Sequence, residues 1–251
     1  MNRRRAFLGG AIITLVFMAG ARDAAAQNQT DESPFVFDIG LGLDVGVNGN
    51  VNSGAIGTFE GQSTAILPNP YGDVYGTGIN FRFGLGYRMN ELSELRGVFT
   101  YQSADADLVR LGDMGASSLY GQYSDYKSLG LDLGYRRYIP ITTRNLSVYG
   151  EGTLGVAFID NINVQFAAPQ SNLVFTSTDF YDQTAALTWG LNGGVLFRVA
   201  EQVDLNAQIG LRHVSGLAEV DQLRGTGLEE INNDSGRLTF PIVVGVRFRF
   251  K

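Results

Sequence analysis

Between Pro34 and Val47, apolar side chains take every second position. Phe35, Phe37, Ile39, Leu41, Leu43, Val45 and Val47 share one face, and Asp38, Gly40, Gly42, Asp44 and Gly46 share the other with Val36. A β-strand turns successive side chains to opposite sides, so this pattern is that of a strand between two unlike environments. It returns at Ile79–Met89, Leu129–Tyr135, Val203–Leu211 and Leu238–Phe250, and less regularly at Leu95–Ser103, Val148–Ile159 and Leu187–Val199. Eight strands are therefore expected, with no helical periodicity competing and no second domain.

The connections alternate in length. Asn90–Glu94, Pro140–Asn145 and Ala200–Gln202 are short, whereas Asn48–Tyr75, Ala104–Asp125, Asp160–Gln183 and Gly216–Gly236 are long and polar. Strands long enough to cross a bilayer when tilted, with short turns on one side and long loops on the other, predict an all-β fold. The expected form is an eight-stranded antiparallel up-and-down transmembrane β-barrel. Both chain ends fall on the short-turn side, which is then periplasmic, and the four loops are extracellular.

The polar face is charged and rich in glycine. Asp38, Asp44, Arg82, Arg88, Arg96, Asp132, Arg136, Glu151, Arg198, Asp204, Arg212, Arg247 and Arg249 all fall on it. A soluble ligand-carrying barrel turns its apolar face inward. Here both signs of charge are expected to pair inside a lumen that eight strands leave just wide enough to fill. The apolar face suits lipid, since closure satisfies every strand edge. Tyr87, Tyr101, Tyr135, Phe158 and Phe197 fit interfacial aromatic girdles.

The N-terminus sets the compartment. Arg3, Arg4 and Arg5 precede an apolar stretch from Ala6 to Ala21, and Ala24-Ala25-Ala26 supplies small residues for cleavage before Gln27. Residues 1–26 are expected to be a cleaved secretory signal peptide, and 27–251 the barrel domain. Arg4-Arg5-Ala6-Phe7-Leu8 also resembles a twin-arginine signal, but a barrel that must cross the inner membrane unfolded suits the general secretory route better. Removing 1–26 takes Lys+Arg from 19 to 15 and Asp+Glu from 25 to 24, a net charge of about −9. An acidic chain without a basic run is not expected to bind nucleic acid. With no cysteine, disulfides, thiol chemistry and a lipoprotein anchor are excluded. No cofactor or metal is expected.

Gly84-Leu85-Gly86-Tyr87-Arg88, Gly130-Leu131-Asp132-Leu133-Gly134-Tyr135-Arg136 and Tyr149-Gly150-Glu151-Gly152 resemble strands of the OmpA/OmpX-type outer membrane protein β-barrel domain family. The ending Gly245-Val246-Arg247-Phe248-Arg249-Phe250-Lys251 resembles that family's barrel-assembly signal. The resemblance implies an integral outer-membrane protein, structural or porin-like. Its expected partners are outer-membrane lipid, lipopolysaccharide and, through the last strand, the barrel-assembly machinery; a monomer is expected.

One constellation suggests chemistry. The single histidine, His213, and Ser215 share the lipid-facing side of the seventh strand near its outer end. Outer-membrane lipid A 3-O-deacylases look similar here, which implies His213 as base and Ser215 as nucleophile, with Glu229 or Glu230 as the acid and Glu219 a poorer one. That family has Asn after the serine, whereas Gly216 stands here. The simpler reading, a non-enzymatic barrel with two polar residues at the membrane interface, is the one adopted; an adhesin would rest on the loops alone. Glu219, Asp221, Glu229, Glu230 and Asp234 make the fourth loop acidic without the ligand spacing of a Ca²⁺ site, so it reads as a solvated loop.

Overall fold

A computed structural model describes residues 33–59, 61–141, 145–171, 173–174, 177–220, 225–232 and 235–250. The signal peptide expected over 1–26 lies outside the described residues, as do Asp221 and Asp234. Eight long strands close into a barrel: β1 (Phe35–Asn48), β2 (Thr77–Asn90), β3 (Ser93–Ala104), β4 (Tyr126–Ile139), β5 (Leu146–Ile159), β6 (Thr184–Ala200), β7 (Val203–Val214) and β8 (Arg237–Arg249). Each pairs antiparallel with its chain neighbours. β8 pairs back onto β1, with Gly245 opposite Gly40, so no edge is left open. All eight expected strands are present.

Side-chain parity follows the sequence. On β4, Leu129, Leu131 and Leu133 face outward and are exposed, while Ser128, Asp132 and Arg136 face inward and are buried. Inward glycines make room for the long lumen side chains: a Cβ on Gly130 would lie 2.7 Å from Arg212 Nη2. Of the thirteen charged residues assigned to the polar face, most are buried, but Arg198 lies exposed at the short-turn mouth.

The long connections differ most from expectation. They are not bare polar loops. Strands Ala218–Glu219, Thr178–Asp182, Ile162–Ala168, Ser117–Tyr123, Leu108–Met114, Gln62–Ile66 and Ala55–Phe59 pair in that order into a second sheet above the barrel. At one edge the fourth loop supplies the strand Ala218–Glu219; at the other it bonds again, Thr58 N–H donating to Thr226 O at 2.7 Å. This cap therefore continues the cylinder upward. A bulge before Gly112, whose φ is 151°, lets Leu108–Met114 bend toward Gln62–Ile66.

The cap encloses an apolar core of Ile66, Leu111, Met114, Leu119, Ile162, Val164, Phe166, Phe180, Leu228 and Ile231. A short helix, α1 (Tyr71–Tyr75), was not expected either. It starts after Pro70, stops at Gly76 with φ 54°, and packs Tyr71 and Tyr75 against the inward-facing Tyr126 and Arg237. It lies at the junction of lumen and cap.

Candidate functional site

The lumen is the most elaborate polar site of the molecule. Toward the short-turn end, Arg96 on β3 donates from Nη2 to Asp38 Oδ2 at 2.8 Å and from Nη1 to Glu151 Oε2 at 2.5 Å. Arg136 on β4 donates to the same Glu151 oxygen from Nε at 2.8 Å. Arg247 on β8 grips Glu94 on β3 through both of its terminal nitrogens, and Tyr138 OH donates to Glu94 Oε2 at 2.8 Å. The Arg136 guanidinium lies 3.7 Å over the Tyr149 ring, whose hydroxyl donates to Asn206 Oδ1 at 2.8 Å. At the mouth, Arg249 and Arg198 both approach Asp204, at 3.3 and 3.7 Å.

A second group fills the upper lumen. Asp132 accepts from Thr188 Oγ1 at 2.5 Å and from Arg212 Nη2 at 3.2 Å. Asp44 accepts from Asn80 Nδ2 at 2.9 Å. Above them Arg237 donates to Gln102 Oε1 at 2.6 Å and stacks 3.7 Å over Tyr126. Burying charge is costly, and the attraction between partners repays it only when geometry and further hydrogen bonds are good. Glu94 and Glu151, each with more than one charged donor, meet that condition.

Glu94 was missed from sequence because it was assigned to the turn Asn90–Glu94. Its parity with Arg96, two residues on along β3, was the signal that places it inside. Arg237 was missed because it was counted above the start of the last strand, which the structure begins at Arg237 itself.

Buried phenols tie the cap together, Tyr71, Tyr75 and Tyr123 among them. Tyr71 OH donates to Ser235 O at 3.1 Å, Tyr75 OH to Ser124 O at 3.1 Å and Tyr123 OH to Asn52 Oδ1 at 2.9 Å. These bonds link the first loop to the fourth and to the second. Burial raises the pKa of all three phenols well above the usual tyrosine range.

At the outer rim, β7 carries His213 opposite Trp189 of β6, their rings stacked at 5.4 Å and 18°. Ser215 bonds to β6 instead: Leu187 N–H donates to Ser215 Oγ at 2.9 Å, and Ser215 N–H to Leu187 O at 2.9 Å. No hydrogen bond joins His213 to Ser215 among the described residues. Glu229 Oε1 accepts from Gly225 N–H at 2.6 Å, in the part of the fourth loop that packs on Ala55–Phe59, and Glu230 is exposed. Glu219 is exposed on the cap strand paired with Tyr181. Among the described residues no group of three or more His, Asp or Glu could hold a metal ion.

Similar folds occur among solved structures. Neisserial surface protein A is 14% identical over 87% of this chain and 99% of that one, with a TM-score of 0.44. The outer membrane protein OprG from Pseudomonas aeruginosa is 13% identical over 87% and 97%, with a TM-score of 0.41. Ail, the attachment invasion locus protein of Yersinia pestis, solved with the heparin analogue sucrose octasulfate, is 12% identical over 86% and 99%, with a TM-score of 0.38. No curated protein matches in sequence. The family model described as outer membrane protein beta-barrel domain matches residues 12–250, nearly the whole chain. A closed barrel of eight strands, apolar outside and charged within, thus comes together with that match: the chain belongs to the outer membrane protein beta-barrel domain family and is an integral protein of the bacterial outer membrane.

Proposed function

We propose that the protein is a closed, non-conducting scaffold that holds an ordered cap at the cell surface. The observation that carries this reading is the stacked obstruction of the lumen. Arg96 bridges from β3 to Asp38 on β1 and Glu151 on β5, and Arg247 of β8 reaches Glu94 of β3. Arg237, Tyr126 and Tyr71 fill the upper end. A gap between these levels, lined by Arg82, Asp132, Glu151 and Arg212, has a volume of about 20 Å³, enough for about one small molecule the size of water. A water-filled channel belongs to barrels of many more strands.

In this reading residues 1–26 are the export leader, cleaved after Ala26. The last strand, ending in Phe248 and Phe250, engages the barrel-assembly machinery. The outward apolar face meets outer-membrane lipid and lipopolysaccharide, the protein works as a monomer, and nucleic acid is no partner.

The test is conductance of the full mature chain in planar bilayers, using preparations whose gel mobility shifts on boiling. The expected result is no sustained channel at 100 mV. Stable, voltage-independent openings from folded protein would replace the scaffold reading with the porin one.

A further inference from the structure

We propose that the barrel lumen binds one monovalent anion of the halide class, chloride in particular, between Arg82 of β2 and Arg212 of β7. Between the two mouths, the inward-facing carboxylates among the described residues are Asp38, Asp44, Glu94, Asp132 and Glu151. They face the arginines Arg82, Arg96, Arg136, Arg212, Arg237 and Arg247, which leaves one positive charge in excess. A charge held away from water requires a counter-charge close by.

Of these groups, Arg82 and Arg237 stand outside the ion pairs among the described residues, and Asp44 is held by the uncharged Asn80. Glu94, Asp38 and Glu151 are taken by Arg247, Arg96 and Arg136, and Asp132 by Arg212. Arg82 makes no ion pair or hydrogen bond among the described residues, and its buried Nε has no acceptor. Arg82 and Arg212 both line the 20 Å³ cavity between the two lumen clusters. The rest of the lining includes the neutral side chains of Thr100, Thr153 and Asn192, each able to donate a hydrogen bond.

Two carboxylates, Asp132 and Glu151, also line the cavity. Both are already neutralised by arginine, Glu151 twice over, through Arg96 and Arg136 at 2.5 and 2.8 Å. Arg82 is the lining cation left without such a partner. The size of the gap selects the ligand class. It takes a single spherical ion and leaves no room for the four oxygens of phosphate or sulfate.

The test is crystallographic, with a solution arm. Crystals of the full mature chain grown with bromide in place of chloride are expected to show one anomalous peak in the lumen, beside Arg82 and Arg212. The Arg82→Met variant is expected to lose it, while Lys127→Met on the outer surface keeps it. No lumen peak in the unsubstituted protein overturns the proposal, as does an ordered water joining Arg82 to Asp44 at that place. A peak that persists in Arg82→Met assigns the ion elsewhere and also overturns it. In solution, replacing gluconate by chloride at equal ionic strength is expected to raise the unfolding midpoint by roughly 2–4 °C. An equal midpoint in both salts counts against binding. If Arg82→Met does not fold, the bromide map and the salt comparison on the unsubstituted protein still decide the matter.

Discussion

The barrel and the cap are built from the same alternation with opposite polarity. On β4, leucines point outward and Ser128, Asp132 and Arg136 point in. On the cap strand Ile162–Ala168, Ile162, Val164 and Phe166 point in, and Gln165 points out. Both regions continue one cylinder, so the difference lies in what surrounds them. Hydrocarbon accepts the outer face of the barrel, and the lumen must then satisfy its own charges. Water surrounds the cap, whose interior is held by ordinary apolar burial. One chain thus shows that inside and outside are set by solvent, while parity is set by the strand.

The sharpest way to break this comparison is to damage each interior by its own chemistry. Glu94→Ala strands Arg247 in the lumen without its carboxylate and is expected to cost about 3–5 kcal/mol. The measurement is the temperature at which gel mobility shifts, which should fall steeply; an unchanged temperature would mean that the lumen charges do not support the barrel. Phe180→Ala empties a site in the cap core, where Phe180 packs on Tyr123 and Tyr181 at 5.5 and 5.0 Å. It is expected to cost a similar 3–5 kcal/mol, confined to the cap. Limited proteolysis should then cut the loops while the barrel still shifts on boiling. Simultaneous loss of both would show that the two storeys fold as one unit.

Outer faces give the next contrast. Leu131→Arg places a cation against hydrocarbon and is expected to cost about 2–4 kcal/mol. Gln165→Arg on the cap exterior is expected to stay within about 0.5 kcal/mol. Equal costs would contradict the assignment of lipid to one and water to the other.

The smallest effect concerns the cap phenols. Tyr75→Phe removes one hydrogen bond, about 0.5–1.5 kcal/mol at neutral pH. Because burial raises the folded-state pKa of Tyr71, Tyr75 and Tyr123, the unfolded phenols ionise first as pH climbs past about 10. Their contribution is complete below that pH and is lost above it. Proteolysis of the cap should therefore accelerate above pH 10, and less steeply in Tyr75→Phe; a pH-independent rate would remove the phenols from that role.

The rim pair and the lumen show how far residue types reach without geometry. His213 and Ser215 were visible as two reactive residue types on one strand face, but their neighbours were not. Trp189 and Leu187 reach them only because β6 lies beside β7 in a set register. Arg96 was legible as inward-facing, whereas its partners Asp38 and Glu151 stand 58 and 55 residues away in the chain. The cap escaped the sequence reading for a related reason. Its strands are short, and the sheet depends on pairing between loops, as where Ser117–Tyr123 of the second lies beside Ile162–Ala168 of the third.

The sequence by itself determined the eight long strands, the parity of their faces and the sign of the environment on each side. A period of two is a local property of an extended chain, and fourteen residues suffice to display it. Only the tertiary structure decided which lumen charges pair, and that the four loops build a second storey. Those outcomes depend on closure of the cylinder, which brings residues from opposite strands within hydrogen-bond distance whatever their separation along the chain.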